Sequence, residues 1–545
     1  MGTLRPAMHL HPPMPVRTAP LARLACRLLG WALAMLLTGC ASLPPDLAGL
    51  PAQALPAVAD APLVRTARAA QPDAELSGFR LIPSGDYGLD ARLALIARAR
   101  QSLDVQYYHL ETDATGLHFL RALRDAAARG VRVRLLLDDL YTGGDSALLD
   151  ALAATPNLEL RLYNPIPVRS AKVALRFAAS LWHFDRLQRR MHNKLLVADG
   201  ALAVAGGRNI GGRYFFQTAG ENFLDLDVLV AGALLPRLGE LFDRYWNSAH
   251  VVPLARLVAP DGDAAARQAR FEALTDATHA PAPRPPPPND MLGYAPVSQE
   301  LQAGRLSLIW ATAQAYADTP ERAIGYQAQY GGVPLQDVDS VRYNLVEGIR
   351  RARTSVLLCS PYLVPGAHGL QVLREARARG AKVQLITNSL AASDEPFVHT
   401  AYRRYRAELV TLGVEIDEVS SRRVAGSPKL PLFGAAVGRL HTKTAVLDGE
   451  LLFVGSLNFD PRSEQHNTEI GLFIRSRPLA AQMLRLAQVL REQGVWRVQA
   501  GADGALEWHG EDDGAPTVLH TEPDASWWDR LLLELVAPFT PEHML

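Results

Sequence analysis

The sequence predicts an α/β fold in two pseudo-symmetric lobes, each a mixed, mostly parallel β-sheet flanked by helices. Three observations predict it: β-rich runs alternate with helical periodicity, the alternation recurs in both halves, and a proline-rich break separates the halves. In the first copy, Ala99-Arg100-Gln101-Ser102-Leu103-Asp104-Val105-Gln106 leads to Gly116-Leu117-His118-Phe119-Leu120-Arg121-Ala122-Leu123, then to Arg129-Gly130-Val131-Arg132-Val133-Arg134-Leu135. In the second, Ala352-Arg353-Thr354-Ser355-Val356-Leu357-Leu358 leads to Gly369-Leu370-Gln371-Val372-Leu373-Arg374-Glu375, then to Arg379-Gly380-Ala381-Lys382-Val383-Gln384-Leu385. Each copy reads as an apolar strand, a helix with leucines at helical period (Leu117, Leu120, Leu123 in the first), a glycine stop and a second strand. Right-handed crossovers of such βαβ units lay the helices on the sheet faces.

The break is Pro281 to Pro288, where four consecutive prolines favour an extended linker or surface insertion. The organisation expected is therefore a leader over 1–40, a flexible tether over 41–78, lobes over 79–252 and 305–500 with a linker or insertion at 253–304, and an amphipathic tail over 501–545. In the leader, Arg17, Arg23 and Arg27 precede the apolar run Leu28 to Leu37, an export signal too short to span a bilayer. Its end, Leu37-Thr38-Gly39-Cys40, is similar to the lipobox of bacterial lipoproteins. That resemblance implies a diacylated Cys40 at the mature N-terminus, on the periplasmic side of a cell-envelope membrane, with the tether supplying slack. An ordinary signal with a coincidental cysteine is the alternative.

Composition narrows the function. Lys+Arg and Asp+Glu both number 56, so there is no global positive field to gather nucleic acid. Cysteine occurs at Cys26, Cys40 and Cys359, too few and too scattered for a disulfide framework or a CxxC-type metal site.

The chemistry sits in a doubled motif. The first half has Arg190-Met191-His192-Asn193-Lys194, then Asp199-Gly200, then Gly206-Gly207-Arg208-Asn209. The second has Arg439-Leu440-His441-Thr442-Lys443, then Asp448-Gly449, then Gly455-Ser456-Leu457-Asn458 at the same intervals. If these runs are strands, residues two apart share a face, so His192 projects with Lys194 and His441 with Lys443. Each pair offers an imidazole and an ammonium to one anion, and Asn209 and Asn458 add amide donors. Two such half-sites closing on one cleft suit a phosphodiester. Asp199 and Asp448, at an odd offset from the lysines, turn away and read as structural. No third ligand stands at metal spacing and lysine repels a cation, so no metal or other cofactor is expected.

The repeated His-x-Lys-x4-Asp followed by Gly-Gly/Ser-x-Asn resembles the HKD motif of the phospholipase D superfamily, over roughly Phe79 to Trp496. Asp104-Val105-Gln106-Tyr107-Tyr108, Gly206-Gly207-Arg208-Asn209-Ile210-Gly211, Tyr245-Trp246-Asn247-Ser248 and Phe459-Asp460-Pro461-Arg462-Ser463 are similar to the bacterial cardiolipin synthase branch. The resemblance implies two phospholipase D-type lobes with the active site between them and metal-independent catalysis through a phosphohistidine. It also implies phosphatidylglycerol, and in one subgroup phosphatidylethanolamine, as substrates at a membrane surface. His192 is assigned as nucleophile and His441 as acid/base, an order that pseudo-symmetry leaves open. Hydrolysis to phosphatidic acid, or another phosphodiesterase or nuclease activity, would use the same residues. In the family, a carboxylate at the position of Glu469 orients a histidine. Its counterpart is Asp225, with Asp227 and Glu221 as competitors, and Gly207 stands where the second copy has Ser456. His109, His183 and His466 are not assigned. The basic runs at Arg186 to Arg190 and at Arg422, Arg423 and Lys429 either draw anionic headgroups or form a solvated face. Ser526 to Val536, aromatic and apolar, either sits at a lipid interface or docks on the domain.

Overall fold

The computed structural model describes residues 49–69, 71–166, 169, 189–321, 339–427, 437–512 and 515–537, so Cys40, His183, Arg186 and Lys429 lie outside the described residues. The chain is written as strands β1 (Ser77–Ile82), β2 (Ser102–Tyr107), β3 (Arg132–Asp138), β4 (Leu158–Tyr163), β5 (Leu195–Ala198), β6 (Leu202–Gly206), β7 (Glu221–Leu224), β8 (Asp227–Gly232) and β9 (Val251–Pro253). It continues through β10 (Ile309–Ala317), β11 (Ser355–Cys359), β12 (Lys382–Asn388), β13 (Glu415–Val419), β14 (Val437–Leu440), β15 (Thr444–Leu447), β16 (Leu451–Gly455), β17 (Ile470–Arg475), β18 (Val495–Ala500), β19 (Leu506–Asp512) and β20 (Ala515–Leu519).

Both lobes carry one mixed α/β plan. In the first, β2, β3 and β4 are parallel neighbours, and the sheet continues antiparallel through β5, β6, β8 and β1 on one side and β9 on the other. In the second, β11, β12 and β13 are parallel, continuing through β15, β16, β17 and β10 and, on the far side, β18. The parallel trio is where the βαβ pattern predicts it. Its crossover helix Ala114–Ala128 starts at Asp113, whose side chain accepts from Gly116 N, and its counterpart is Gly366–Ala378. Both stop at an Arg-Gly pair whose glycine, Gly130 or Gly380, has φ +92°, the left-handed conformation that ends a helix without a Cβ clash.

The lobes are fused. β1 and β10 pair antiparallel, Gly78 opposite Trp310, and join the two sheets into one. One apolar cluster draws on both lobes, with Phe79, Val228, Phe242 and Trp246 from the first and Ala315, Val446, Leu472 and Met483 from the second. Separate clusters fill the outer faces, around Leu103, Leu120 and Val133 in the first lobe and Val356, Leu373 and Val383 in the second.

The expected flexible tether and the proline-rich linker or insertion are both held against the first lobe where described. In the tether over 41–78, Ala52 and Ala54 donate from their backbones to Asn247 and Asp243, Arg132 donates to the Gln53 carbonyl, and a helix forms over Pro62–Ala69. Extended, proline-rich backbone is there satisfied by first-lobe side chains rather than by water. The segment 253–304 likewise lies on the first lobe: Asp263 caps the helix Ala264–Leu274, Arg267 pairs with Asp150, and the Pro287 carbonyl accepts from the Tyr87 hydroxyl. At the other end, β18, β19 and β20 extend the second sheet antiparallel before the helix Trp527–Val536.

Candidate active site

The site forms where strand ends of the two lobes meet. β7 and β14 pair in parallel across the lobes, Leu224 opposite Leu440, and the next residues after them are Asp225 and His441. His441 N donates to the Leu224 carbonyl (2.7 Å), and His441 Nδ1 lies 2.6 Å from Asp225 Oδ2. The mirrored join is a bridge between Met191 and Thr468: His192 N donates to the Thr468 carbonyl (2.9 Å), Thr468 N donates to the Arg190 carbonyl (3.0 Å), and His192 Nδ1 lies 3.2 Å from Glu469 Oε1. Each histidine is thus faced by a carboxylate of the opposite lobe. Of the candidates for the Glu469 counterpart, Asp225 meets a histidine. Asp227 is buried between Arg92 (2.7 Å) and Arg208 (3.2 Å), and Glu221 pairs with Arg439 (2.7 Å).

His192, Lys194, Asn209, His441, Lys443 and Asn458 line one cavity of about 580 Å³. The histidine-lysine runs are not strands. They precede β5 and β15, because their backbones are engaged with the other lobe, and each lysine folds back to donate to the carbonyl of its own histidine. Both lysines keep only 2% of their surface exposed. Asn209 Nδ2 donates to the Tyr214 hydroxyl and its Oδ1 accepts from His109 N, while Asn458 Oδ1 finds no donor among the described residues.

Burial and like charge set the protonation states. His192 is held well below the usual imidazole range by burial, then by Lys194 and Arg462, so its ring is neutral at pH 7. His441 is also lowered by burial and by Lys443, but Asp225 opposes the shift. Asp225 is itself held below the carboxylate range by His441 despite its burial. Burial pushes Lys194 down to about 7 and Glu469 up to about 7, and Lys443 is lowered for the same reason.

The Gly/Ser difference between the copies has a steric cause. A Cβ at Gly207 would stand 2.2 Å from Asp225 Oδ1, so the glycine makes room for the shorter carboxylate. Ser456 instead donates its hydroxyl to Glu469 Oε2 and accepts from Ile470 N. Asp199 and Asp448 sit in the turns after β5 and β15 at φ +52° and +54°, away from the cavity. Asp199 accepts from the N–H groups of Arg100, Gln101 and Ser102, and Asp448 from those of Arg353, Thr354 and Ser355.

Other cavity residues carry no repeated spacing and are not assigned from the sequence, although Tyr108 and Arg462 fall within stretches similar to the family. Tyr108 lies against His192 with ring centroids 4.3 Å apart, and Tyr214 and Phe223 flank His441 at 5.3 and 5.1 Å. His109 lines the cavity against Tyr141, with its pKa pushed down to about 4 by burial, whereas His466 is not among the lining residues. Tyr362, Asp394, Glu395 and Arg462 complete the second-lobe wall. Arg190, at the end of the first basic run, is turned inward: it is buried against Asp138 (2.5 Å), which also accepts from Met191 N, and is not available to headgroups. Arg423 lies over the Trp496 ring (3.6 Å) and pairs with Asp512, leaving Arg422 exposed. Among the described residues no group of His, Cys, Asp and Glu could hold a metal ion, and no helix is long and apolar enough to cross a membrane.

A family model described as "Cardiolipin synthase, PLD-like domain" matches residues 93–246 and 345–490. Cardiolipin synthase C of Escherichia coli is 36% identical over 467 residues, 84% of this chain and 93% of that protein. Cardiolipin synthase of Geobacillus kaustophilus is 26% identical over 72% of this chain and 62% of its own length. Among solved structures, phosphatidylserine synthase of Haemophilus influenzae superposes with a TM-score of 0.55 at 13% identity, covering 88% of this chain and all of that one, a likeness of fold.

Proposed function

The chain belongs to the cardiolipin synthase branch of the phospholipase D-like family, and from that premise we propose that it makes cardiolipin by transferring a phosphatidyl group between phospholipids. The observation that carries the reading is one cavity lined by two histidines, each beside a lysine and each faced by a buried carboxylate. His192 Nε2 attacks phosphorus, and the P–O bond to the departing alcohol breaks as His441 gives that oxygen a proton. His441 then takes the proton of the incoming hydroxyl, whose oxygen attacks phosphorus and releases His192. The difference in partners supports this order. His192, held neutral, has a lone pair ready, and His441, beside the ionised Asp225, is better able to carry a proton. Lys194, Lys443, Asn209 and Asn458 supply donors for the phosphoryl oxygens, where loss of one preorganised donor costs about 10²–10³ in rate.

The substrates are phospholipids. Phosphatidylglycerol is proposed for both roles, with phosphatidylethanolamine as a second substrate whose ammonium suits the Asp394 and Glu395 carboxylates. The same carboxylates and the balanced net charge argue against nucleic acid. The enzyme works at a bacterial envelope membrane, and the Leu37-Thr38-Gly39-Cys40 sequence supports acyl anchoring on the periplasmic side.

The test incubates the full chain with isotope-labelled phosphatidylglycerol, with and without phosphatidylethanolamine, and identifies products by mass. Labelled cardiolipin is expected, and phosphatidic acid alone would make the enzyme a hydrolase. With an activated aryl phosphodiester, whose leaving group needs no acid, His441→Ala should accumulate a phosphoryl adduct on His192, and His192→Ala should lose turnover by about 10⁴ or more. An adduct on His441 would reverse the two roles.

A further inference from the structure

The helix Trp527–Val536 presents its apolar side outward. Trp527, Trp528, Leu531, Leu532 and Leu535 are between 41% and 62% exposed, and of its leucines Leu533 alone is buried, at 4%. At 3.6 residues per turn the five exposed positions fill an arc of about 140°, one continuous face. A helix docked for stability shows the opposite arrangement, with its apolar stripe on the core. This helix is held by polar contacts instead: Glu534 accepts from Arg403 (2.6 Å) and the Ala537 carbonyl from Arg404 (2.9 Å). Its start is locally encoded, since Ser526 and Asp529 form a reciprocal capping box, and Trp527 and Trp528 stack at 3.8 Å. The fold therefore fixes the helix while leaving the apolar face open.

We propose that this face inserts into the lipid leaflet that supplies the substrates and holds the cavity mouth at its surface, an inference that rests on the phospholipid reading above. Three observations favour lipid over a second copy of the chain. Adjacent tryptophans suit a headgroup interface, with an apolar body and a polar N–H. The helix that carries Arg403 and Arg404, Pro396–Thr411, begins with Phe397 and Val398, which line the cavity, and Phe397 is 51% exposed. Phe397 and Arg404 are seven residues apart, roughly 10 Å along the axis, so a single rigid element joins the apolar face to the doorway. Finally, exposed Arg404, which donates to the Ala537 carbonyl at the end of the helix, brings a positive charge complementary to anionic lipid, and exposed Arg422 faces Asp524 just before its start.

The full chain is mixed with vesicles of phosphatidylglycerol and phosphatidylethanolamine carrying brominated acyl chains. Bromine should quench tryptophan emission, and Trp527→Phe/Trp528→Phe should remove most of that quenching. Equal quenching in the variant overturns the proposal. In parallel, Leu532→Glu/Leu535→Glu should slow turnover on vesicles and leave turnover of a short-chain phosphatidylglycerol below its micelle concentration unchanged. Equal loss on both substrates makes the helix merely structural, and a fall from dimer to monomer in light scattering with quenching intact makes a second copy the occupant. Quenching by the wild type with no turnover of either lipid leaves the helix assignment standing and removes the functional reading instead.

Discussion

The two half-sites share a plan and differ in how their histidines are supported. His441 meets a short carboxylate at 2.6 Å, admitted by a glycine, whereas His192 meets a longer one at 3.2 Å that is tied to a serine hydroxyl. Behind them, Asp138 accepts from Met191 N and binds Arg190 in the first lobe, while neutral Asn388 accepts from Leu440 N and donates to the Leu440 carbonyl in the second. The difference teaches that a duplicated motif can keep its histidines, lysines and asparagines and still surround them differently. Asp225 stays ionised and opposes the lowering of His441, whereas His192 is held lower by burial, Lys194 and Arg462 beside a Glu469 carboxylate pushed up to about 7.

That contrast can be broken most sharply at the glycine. Gly207→Ala must displace the Asp225 carboxylate, and a misplacement of about an ångström next to the chemistry costs on the order of 10² in kcat. Ser456→Ala removes the hydroxyl that donates to Glu469 and accepts from Ile470 N but leaves the carboxylate in place, and the lost bond to Glu469 should cost about 1 kcal/mol or roughly fivefold in rate. Equal effects in steady-state assays would mean that the two supports do the same work. The pH profile sharpens the comparison next. In the proposed mechanism Lys194 holds the phosphoryl oxygens as a cation, and with its pKa pushed down to about 7 the charge is lost as pH rises, so kcat/KM should descend above pH 7. Glu469→Gln removes the carboxylate that most favours that charge, and the descending limb should move to lower pH. The smallest effect belongs to the turn aspartates. Asp199→Ala strips three backbone N–H groups of their acceptor at a buried site and should cost about 1–3 kcal/mol in denaturant unfolding with little change in kcat. Asp448→Ala, at an exposed turn where water can substitute, should cost less.

Much of this was legible because repetition exposes what a single copy hides. His192, Lys194, Asn209 and their counterparts recur at equal spacing, and the strand-helix-strand runs that position them obey simple periodicity. The pairing of each histidine with the opposite lobe was not legible, because a parallel contact such as Leu224 with Leu440 joins residues more than two hundred positions apart and leaves no local mark. Proline content left 253–304 open between a linker and a surface insertion, because contacts such as Tyr87 with Pro287, which fix the segment on the first lobe, leave no local mark in its sequence. The strand geometry assumed for His192 and Lys194 failed for a related reason, since the Arg190 carbonyl and the His192 N–H are spent on Thr468 and β5 begins only at Leu195.

The crossed carboxylates carry a consequence for inheritance and repair. Damage at residue 225 is felt at residue 441, and damage at residue 469 at residue 192, so neither half of this polypeptide is a spare for the other. Severed within Pro281 to Pro288, the halves would still require each other's bearings to aim a single imidazole.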